Sequence, residues 1–239
     1  MTAEIYKQCC DHGVTWEGTT HGKVGKIGGL DAYFAEPKST PKAGVMLIHD
    51  IHGWDKKNIR LVADKYADAG IAATVPDFYH GKELPADKSK IMEFIGMFPV
   101  DKSFKEVKEV MAEFKSKYSL SKVGAQGFCW GGKYTVLLLG SSDADAGVVC
   151  HGSLLNDEDV EAIKNPVLFL YSANDQQIPD EKREKFQSIL KTKSFPAEGV
   201  YYPDQAHGWT LRGDDQDPKV GDAAKDAFAR ALKWFQQHL

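Results

Sequence analysis

The stretch GAQGFCWGGK, Gly124 to Lys133, decides the fold. A thiol, Cys129, sits between Phe128 and Trp130, and Gly127, Gly131 and Gly132 fence that trio. Glycines in such a run serve where a strand turns sharply into a helix and neighbouring side chains would collide. The stretch therefore predicts a strand running into Gln126, a tight turn carrying the thiol, and a helix opening just after it.

Working outward, short apolar runs alternate with helical patterns from about Gly44 onward, the signature of a parallel sheet wrapped by crossover helices. The predicted strands are Val45–Ile48, Ile71–Val75, Lys122–Gln126, Gly147–Cys150, Val167–Tyr171 and Gly199–Tyr202. All are short and bounded by Gly, Pro, Asp or Asn, as expected of strands buried on both faces. KIGGLDAYFAEP, Lys26–Pro37, reads as an opening hairpin or an antiparallel edge. Helical spacing marks Lys57–Ala69, which stops at Gly70, and Asp101–Tyr118, with Phe104, Val107, Val110, Met111 and Phe114 on one face. A last helix is expected from about Pro218 to the end, and DEKREKFQ, Asp180 to Gln187, reads as a solvated helix face. Gly81–Pro99 is the least regular segment, either a lid over a site or a connecting helix.

The 239 residues are 42% hydrophobic and 27% charged, which fits one α/β domain spanning residues 1–239. Formal net charge is −4 with scattered basic residues, so no footprint for nucleic acid or an anionic membrane surface is expected. No run reaches the roughly 18 apolar residues of a membrane helix, and the start lacks a signal-peptide pattern; the expected location is the cytoplasm. Cys9, Cys10, Cys129 and Cys150 are expected to be reduced. The adjacent Cys9 and Cys10 read as part of an N-terminal arm, with metal binding or oxidant sensing the less economical roles.

In an open parallel sheet, ligands bind at the carboxyl ends of the strands. Those ends carry HDIHG (His49–Gly53), PDFYHGK (Pro76–Lys82), Cys129, Cys150 with His151, Asp175 and His207. Cys129, Asp175 and His207 follow the nucleophile, acid and histidine order of an α/β-hydrolase triad, and GFCWG matches the G-x-S-x-G nucleophile elbow with cysteine for serine. The turn places the thiol at a helix N-terminus, which favours negative charge. Backbone N–H groups of Trp130 and Ile51 are the expected oxyanion donors. His207 would act as acid and base, oriented by Asp175. Asp50, beside the oxyanion loop, is either a capping residue or a group that modulates the thiol. Tyr79, His80, His151, Trp209 and Arg212 are candidate pocket residues, and Trp54 a further aromatic wall. His49 and His52, even with His80 or Asp77, lack the helical spacing of a metal pair, so neither metal nor cofactor is expected. A glycoside-cleaving pair such as Asp50 and Asp77 would need a separation the sequence does not give.

These motifs resemble the dienelactone hydrolase family of α/β-hydrolases, from GGLDAYFAEP through HDIHG, VPDFYHG, GFCWGG and ANDQQIP to AHGW; the N-terminal QCC resembles its eukaryotic branch. The resemblance implies a mostly parallel, eight-stranded sheet with helices on both faces. It also implies attack by Cys129 on a small ester or lactone, an acyl-enzyme, and release by water activated through His207. Bacterial members carry a glutamate where Asp50 stands, and two arginines that hold the substrate carboxylate. Gly81 and Leu211 occupy the two arginine places, with His80, Lys82 and Arg212 nearby. The alternative function is a redox-sensing or ligand-binding protein that uses the elbow thiol without turnover.

Overall fold

The computed structural model describes residues 13–239, so Cys9 and Cys10 lie outside the described residues. Eight strands form one sheet: β1 (Lys23–Ile27), β2 (Leu30–Ala35), β3 (Ala43–Ile48), β4 (Ala72–Pro76), β5 (Lys122–Phe128), β6 (Ala146–Cys150), β7 (Val167–Ser172) and β8 (Ala197–Tyr202). Their order across the sheet is β1-β2-β4-β3-β5-β6-β7-β8. The first two pairings, β1 with β2 and β2 with β4, are antiparallel, and every later one is parallel. The opening hairpin therefore forms the antiparallel edge of a parallel sheet. Each of the six predicted strands is present, some longer by one or two residues.

Alternation along the strands feeds two cores, because successive side chains point to opposite faces. Met46 and Ile48 of β3, with Phe169 and Tyr171 of β7, join one core. Val45 and Leu47, with Leu168 and Leu170, join the other. The first face is covered by α2 (Ile91–Gly96), α3 (Val100–Lys117), α4 (Trp130–Ser141), α5 (Asp157–Glu161) and α6 (Asp180–Leu190); the opposite face by α1 (Lys57–Asp68), a short α7 (Trp209–Arg212) and α8 (Pro218–His238). Helix α3 presents Val107, Val110, Met111 and Phe114, and α8 presents Ala227, Ala231, Trp234 and Phe235. Asp217 caps α8 through the Lys219 N–H at 2.9 Å, and Pro218 opens it without losing a needed donor. No helix among the described residues is long and apolar enough to cross a membrane.

The irregular segment resolves into a 3-10 turn at Lys88–Lys90 followed by α2. Ile91, Phe94 and Phe98 are buried, and the rings of Phe94 and Phe98 lie 5.0 and 4.5 Å from that of Tyr79. A connecting helix seated on an aromatic cluster describes the segment.

At the junction of β5 and α4 the chain packs backbone against backbone. A β-carbon on Gly127 would collide with the Gly131 carbonyl, and one on Gly131 would collide with the carbonyls of Ile48 and His49 at the end of β3. Backbone is on the opposing side in both cases, so no side-chain rotation relieves the clash. Gly131→Ala is therefore expected to cost about 3 kcal/mol or more in urea unfolding, in the upper range for overpacking. An unchanged unfolding midpoint would show that the junction is looser than described.

Candidate active site

Strand β5 delivers Cys129 and α4 begins at the next residue, so the thiol-bearing residue must reverse the chain by itself. It does so at φ 50°, ψ −110°, a region that costs a non-glycine residue about 1–3 kcal/mol. Three backbone hydrogen bonds hold it there. The Cys129 N–H donates to the Cys150 carbonyl at 3.1 Å, and the Cys129 carbonyl accepts from the N–H groups of Gly132 at 3.0 Å and Ser153 at 2.9 Å. Sγ stands 3.7 Å from the Ser153 hydroxyl, and the residue is only 5% exposed.

Asp175 follows β7. Its Oδ1 accepts the Gln177 N–H at 2.8 Å, while Oδ2 accepts the Ser172 hydroxyl at 2.8 Å and His207 Nδ1–H at 2.9 Å. Burial alone would raise the Asp175 pKa, but the His207 charge and these bonds hold it below the usual carboxylate value. Asp175 occupies Nδ1, which leaves Nε2 as the other ring nitrogen. It is buried without a hydrogen bond of ordinary geometry among the described residues. Burial pulls the His207 pKa down, yet the neighbouring Cys129 sulfur, then Asp175, drive it well above the ordinary value. The three predicted triad residues are thus brought together from the ends of β5, β7 and β8.

His151 lies against them. Its ring centroid is 5.0 Å from that of His207 in an edge-on arrangement, and its Nε2 is 2.6 Å from the Thr210 hydroxyl. Burial, then the charges of His207 and Arg212, push its pKa well below the ordinary value, so this second imidazole is neutral. Trp130 is the first residue of α4, where an N–H has no intrahelical acceptor. Neither the Trp130 nor the Ile51 backbone N–H donates to a protein acceptor among the described residues. Both are therefore available as oxyanion donors.

The remaining predicted residues have other partners. The Asp50 carboxylate pairs with Arg212 Nη1, both side chains buried, and its Oδ1 accepts the His52 N–H at 2.9 Å. Burial would raise the Asp50 pKa, but Arg212 first, then His52, holds it below the usual carboxylate value. His49, wholly buried, has Nδ1 2.8 Å from the Asp50 carbonyl and accepts the Phe78 N–H on Nε2 at 3.3 Å, while its ring stacks on Trp130. Desolvation lowers its pKa, so both nitrogens serve a neutral structural histidine. Tyr79 packs among His49, Trp130, Phe94 and Phe98. His80 is exposed and 3.1 Å from Glu106, Trp209 lies buried against Tyr202, and the Arg60 guanidinium covers Trp54. Asp77 accepts the backbone N–H groups of Tyr79 at 3.0 Å and Gly81 at 2.5 Å, which commits both its oxygens to a turn. No cluster of His, Cys, Asp and Glu that could hold a metal occurs among the described residues. Ser153 and Thr210 escaped the sequence reading; Ser153 follows β6 by three residues, in the loop that had already yielded His151.

Comparison with known proteins gives a consistent picture. A family model described as the dienelactone hydrolase family matches residues 30–239. The chain is 30% identical to hydrolase pyvD of Aspergillus violaceofuscus, over 100% of this chain and 99% of that protein. It is also 30% identical to a carboxymethylenebutenolidase homolog of Xenopus tropicalis, over 96% of each. A crystal structure from Klebsiella pneumoniae shares the fold with a TM-score of 0.79 at 24% identity, covering 92% of this chain and all of that one.

The buried Asp50 and Arg212 pair makes a test of its own. Arg212→Met strands a buried carboxylate and should cost about 3–5 kcal/mol, whereas Asp50→Asn with Arg212→Met should cost less than that single change. Because the folded-state pKa values of Asp50 and Asp175 are depressed, their contribution is present above about pH 4 and lost as pH falls through the lower folded values. The His207 pKa is raised, so its contribution is complete below about pH 6.5 and lost as pH rises through the folded value. Urea unfolding across pH reads all three. A single substitution at Arg212 no costlier than the double one would contradict the pairing.

Proposed function

This chain belongs to the dienelactone hydrolase family, and from that premise we propose that it is a cysteine-dependent hydrolase of small carboxylic esters or lactones, with Cys129, His207 and Asp175 as its triad. The observation that carries the reading is the buried Asp175–His207 bond beside a cysteine held at φ 50° on a helix N-terminus. A strained turn, an oriented imidazole and a thiol in one place have a common use in acyl transfer.

The reaction runs in two halves. The Cys129 thiolate adds to the ester or lactone carbonyl, and the resulting oxyanion accepts the Trp130 and Ile51 N–H groups. Collapse breaks the bond to the alkoxide, which takes the proton from His207 Nε2 and leaves a thioester on Cys129. Water then loses a proton to Nε2 and attacks the thioester; a second oxyanion collapses, releasing the carboxylic acid and the thiolate. Asp175 keeps the other ring proton on Nδ1 and stabilises the imidazolium through both halves. The reading includes a cytoplasmic location, a small-molecule substrate and no resident cofactor.

The positions that set substrate charge favour an uncharged ester. The Arg212 charge is shared with Asp50, and neither of the two arginine places that the family uses for a substrate carboxylate holds an arginine here. A role for Cys129 in oxidation alone would leave the buried Asp175–His207 bond without a task.

Cys129→Ala is expected to lower kcat/KM for p-nitrophenyl acetate by roughly 10⁴-fold, and Asp175→Asn by roughly 10²–10⁴-fold. In the native protein the alkaline limb of the kcat/KM profile should lie well above pH 6.5, because His207 must carry the proton that the alkoxide takes. Undiminished turnover in Cys129→Ala would end the proposal.

A further inference from the structure

Beneath the elbow, on the sheet face covered by α1 and α8, is a cavity of about 280 Å³ that contains none of the triad residues. Its floor is built by register: Phe128 pairs with Cys150, and Cys150 with Leu170, so one residue from each of β5, β6 and β7 lies in a row. Trp16 and Phe228 supply aromatic walls, and Thr210 of α7 closes one end. The polar part of the floor is already arranged. Gln126 accepts the Tyr66 hydroxyl at 2.6 Å and donates to the Cys150 sulfur at 3.3 Å. Burial pushes the Cys150 thiol up to about 12, so it stays neutral.

Charge is confined to the mouth, where Lys65 and Lys225 stand with Asp215. The Lys65 ammonium lies 5.5 Å from the Trp16 ring centroid and 5.6 Å from that of Phe228. It has no carboxylate within ion-pair distance among the described residues. Lys225 reaches only an exposed pair with Asp222, at 3.2 Å. Asp215 at the mouth and Asp222 on Lys225 match the two ammonium groups in number, so Lys65 is the ammonium that faces the aromatic chamber without a carboxylate at ion-pair distance among the described residues. The volume is at the small end for ligand pockets, which excludes large cofactors and leaves room for a ring or a short chain.

One wall of this chamber reaches the triad. Thr210 lies three residues after His207, and its hydroxyl is the partner of His151 Nε2, whose ring in turn meets His207. On the floor, the carbonyl of Cys150 accepts the N–H of Cys129 and so helps hold the strained elbow. A molecule seated against Thr210 and Cys150 therefore touches two of the supports of the reactive pair.

We propose that this cavity is a second ligand site for a small amphipathic carboxylic acid, its apolar body between Trp16 and Phe228 and its carboxylate at Lys65 and Lys225, coupled to His207 through Thr210 and His151. An ester hydrolase releases acids of this class, and in that respect the idea rests on the function proposed above; the binding itself does not.

Phenylacetate is a suitable probe, with phenylacetamide as its neutral counterpart, and binding is read by tryptophan fluorescence and by histidine ring resonances. Phenylacetate should bind native protein and Cys129→Ala alike, more tightly than phenylacetamide by roughly tenfold. Ala224→Phe, which fills the chamber, should weaken binding at least roughly tenfold. Lys65→Gln with Lys225→Gln, both at the surface, should keep the fold and erase the preference for the acid. Thr210→Val should leave binding in place while removing the ligand-induced shift of the His207 resonances. Affinity untouched by both the Ala224 and the lysine substitutions, or no binding at about 10 mM, would overturn the proposal. Loss of the hydrolase reading would show separately, as absent ester turnover with these binding results intact.

Discussion

The backbone at Cys129 is the constraint on which the rest depends. A cysteine at positive φ is unfavourable in isolation, and it persists because three hydrogen bonds from β6 and its following loop, and from the first turn of α4, fix it. Those bonds exist only if β5 and β6 pair in the observed register and α4 lies hard against the end of β3. The last condition needs Gly131, whose missing side chain lets the helix touch the carbonyls of Ile48 and His49. Sheet order, helix placement and the geometry of the thiol are therefore one problem with one solution.

Around that turn the charges are arranged so that each buried ionised group has a partner. Asp175 has His207, and Asp50 has Arg212; their carboxyls stay ionised although burial opposes it. His49 and His151 carry no charge, each for the same reason of desolvation, and their nitrogens are used as hydrogen-bonding parts. Five histidine and aspartate residues near one thiol thus divide into one imidazole bonded to a carboxylate, a second carboxylate paired with an arginine, and two neutral rings. The division follows from neighbours and burial, not from residue type.

That division also explains what could be read in the sequence. The tight turn was legible because backbone collision has a residue signature: Gly127, Gly131 and Gly132 around one cysteine. Asp175 and His207 were legible as residues that follow strand ends, where a parallel sheet gathers side chains, and the fold joins them in one hydrogen bond. Ion pairing of Asp50 with Arg212 was not, since the partners are 162 residues apart and no local pattern joins them. Asp50 could be marked as unusual from its place beside the oxyanion loop, but its partner required the fold. Tyr79 illustrates another limit, because an aromatic residue after a strand can face either a pocket or a packed helix. Here α2 seats Phe94 and Phe98 on it. Ser153 and Thr210 carried no signal, as single hydroxyls in loops rarely do.

The central claim is that this thiol forms a bond to substrate carbon and is released through His207. It is tested most directly by quenching the protein with acid within milliseconds of mixing with p-nitrophenyl acetate and mapping the adduct by peptide mass. One acetyl group is expected on the peptide carrying Cys129, enriched after prolonged incubation when His207 is replaced by glutamine. Ester turnover with no acetyl group on that peptide at any time would contradict it.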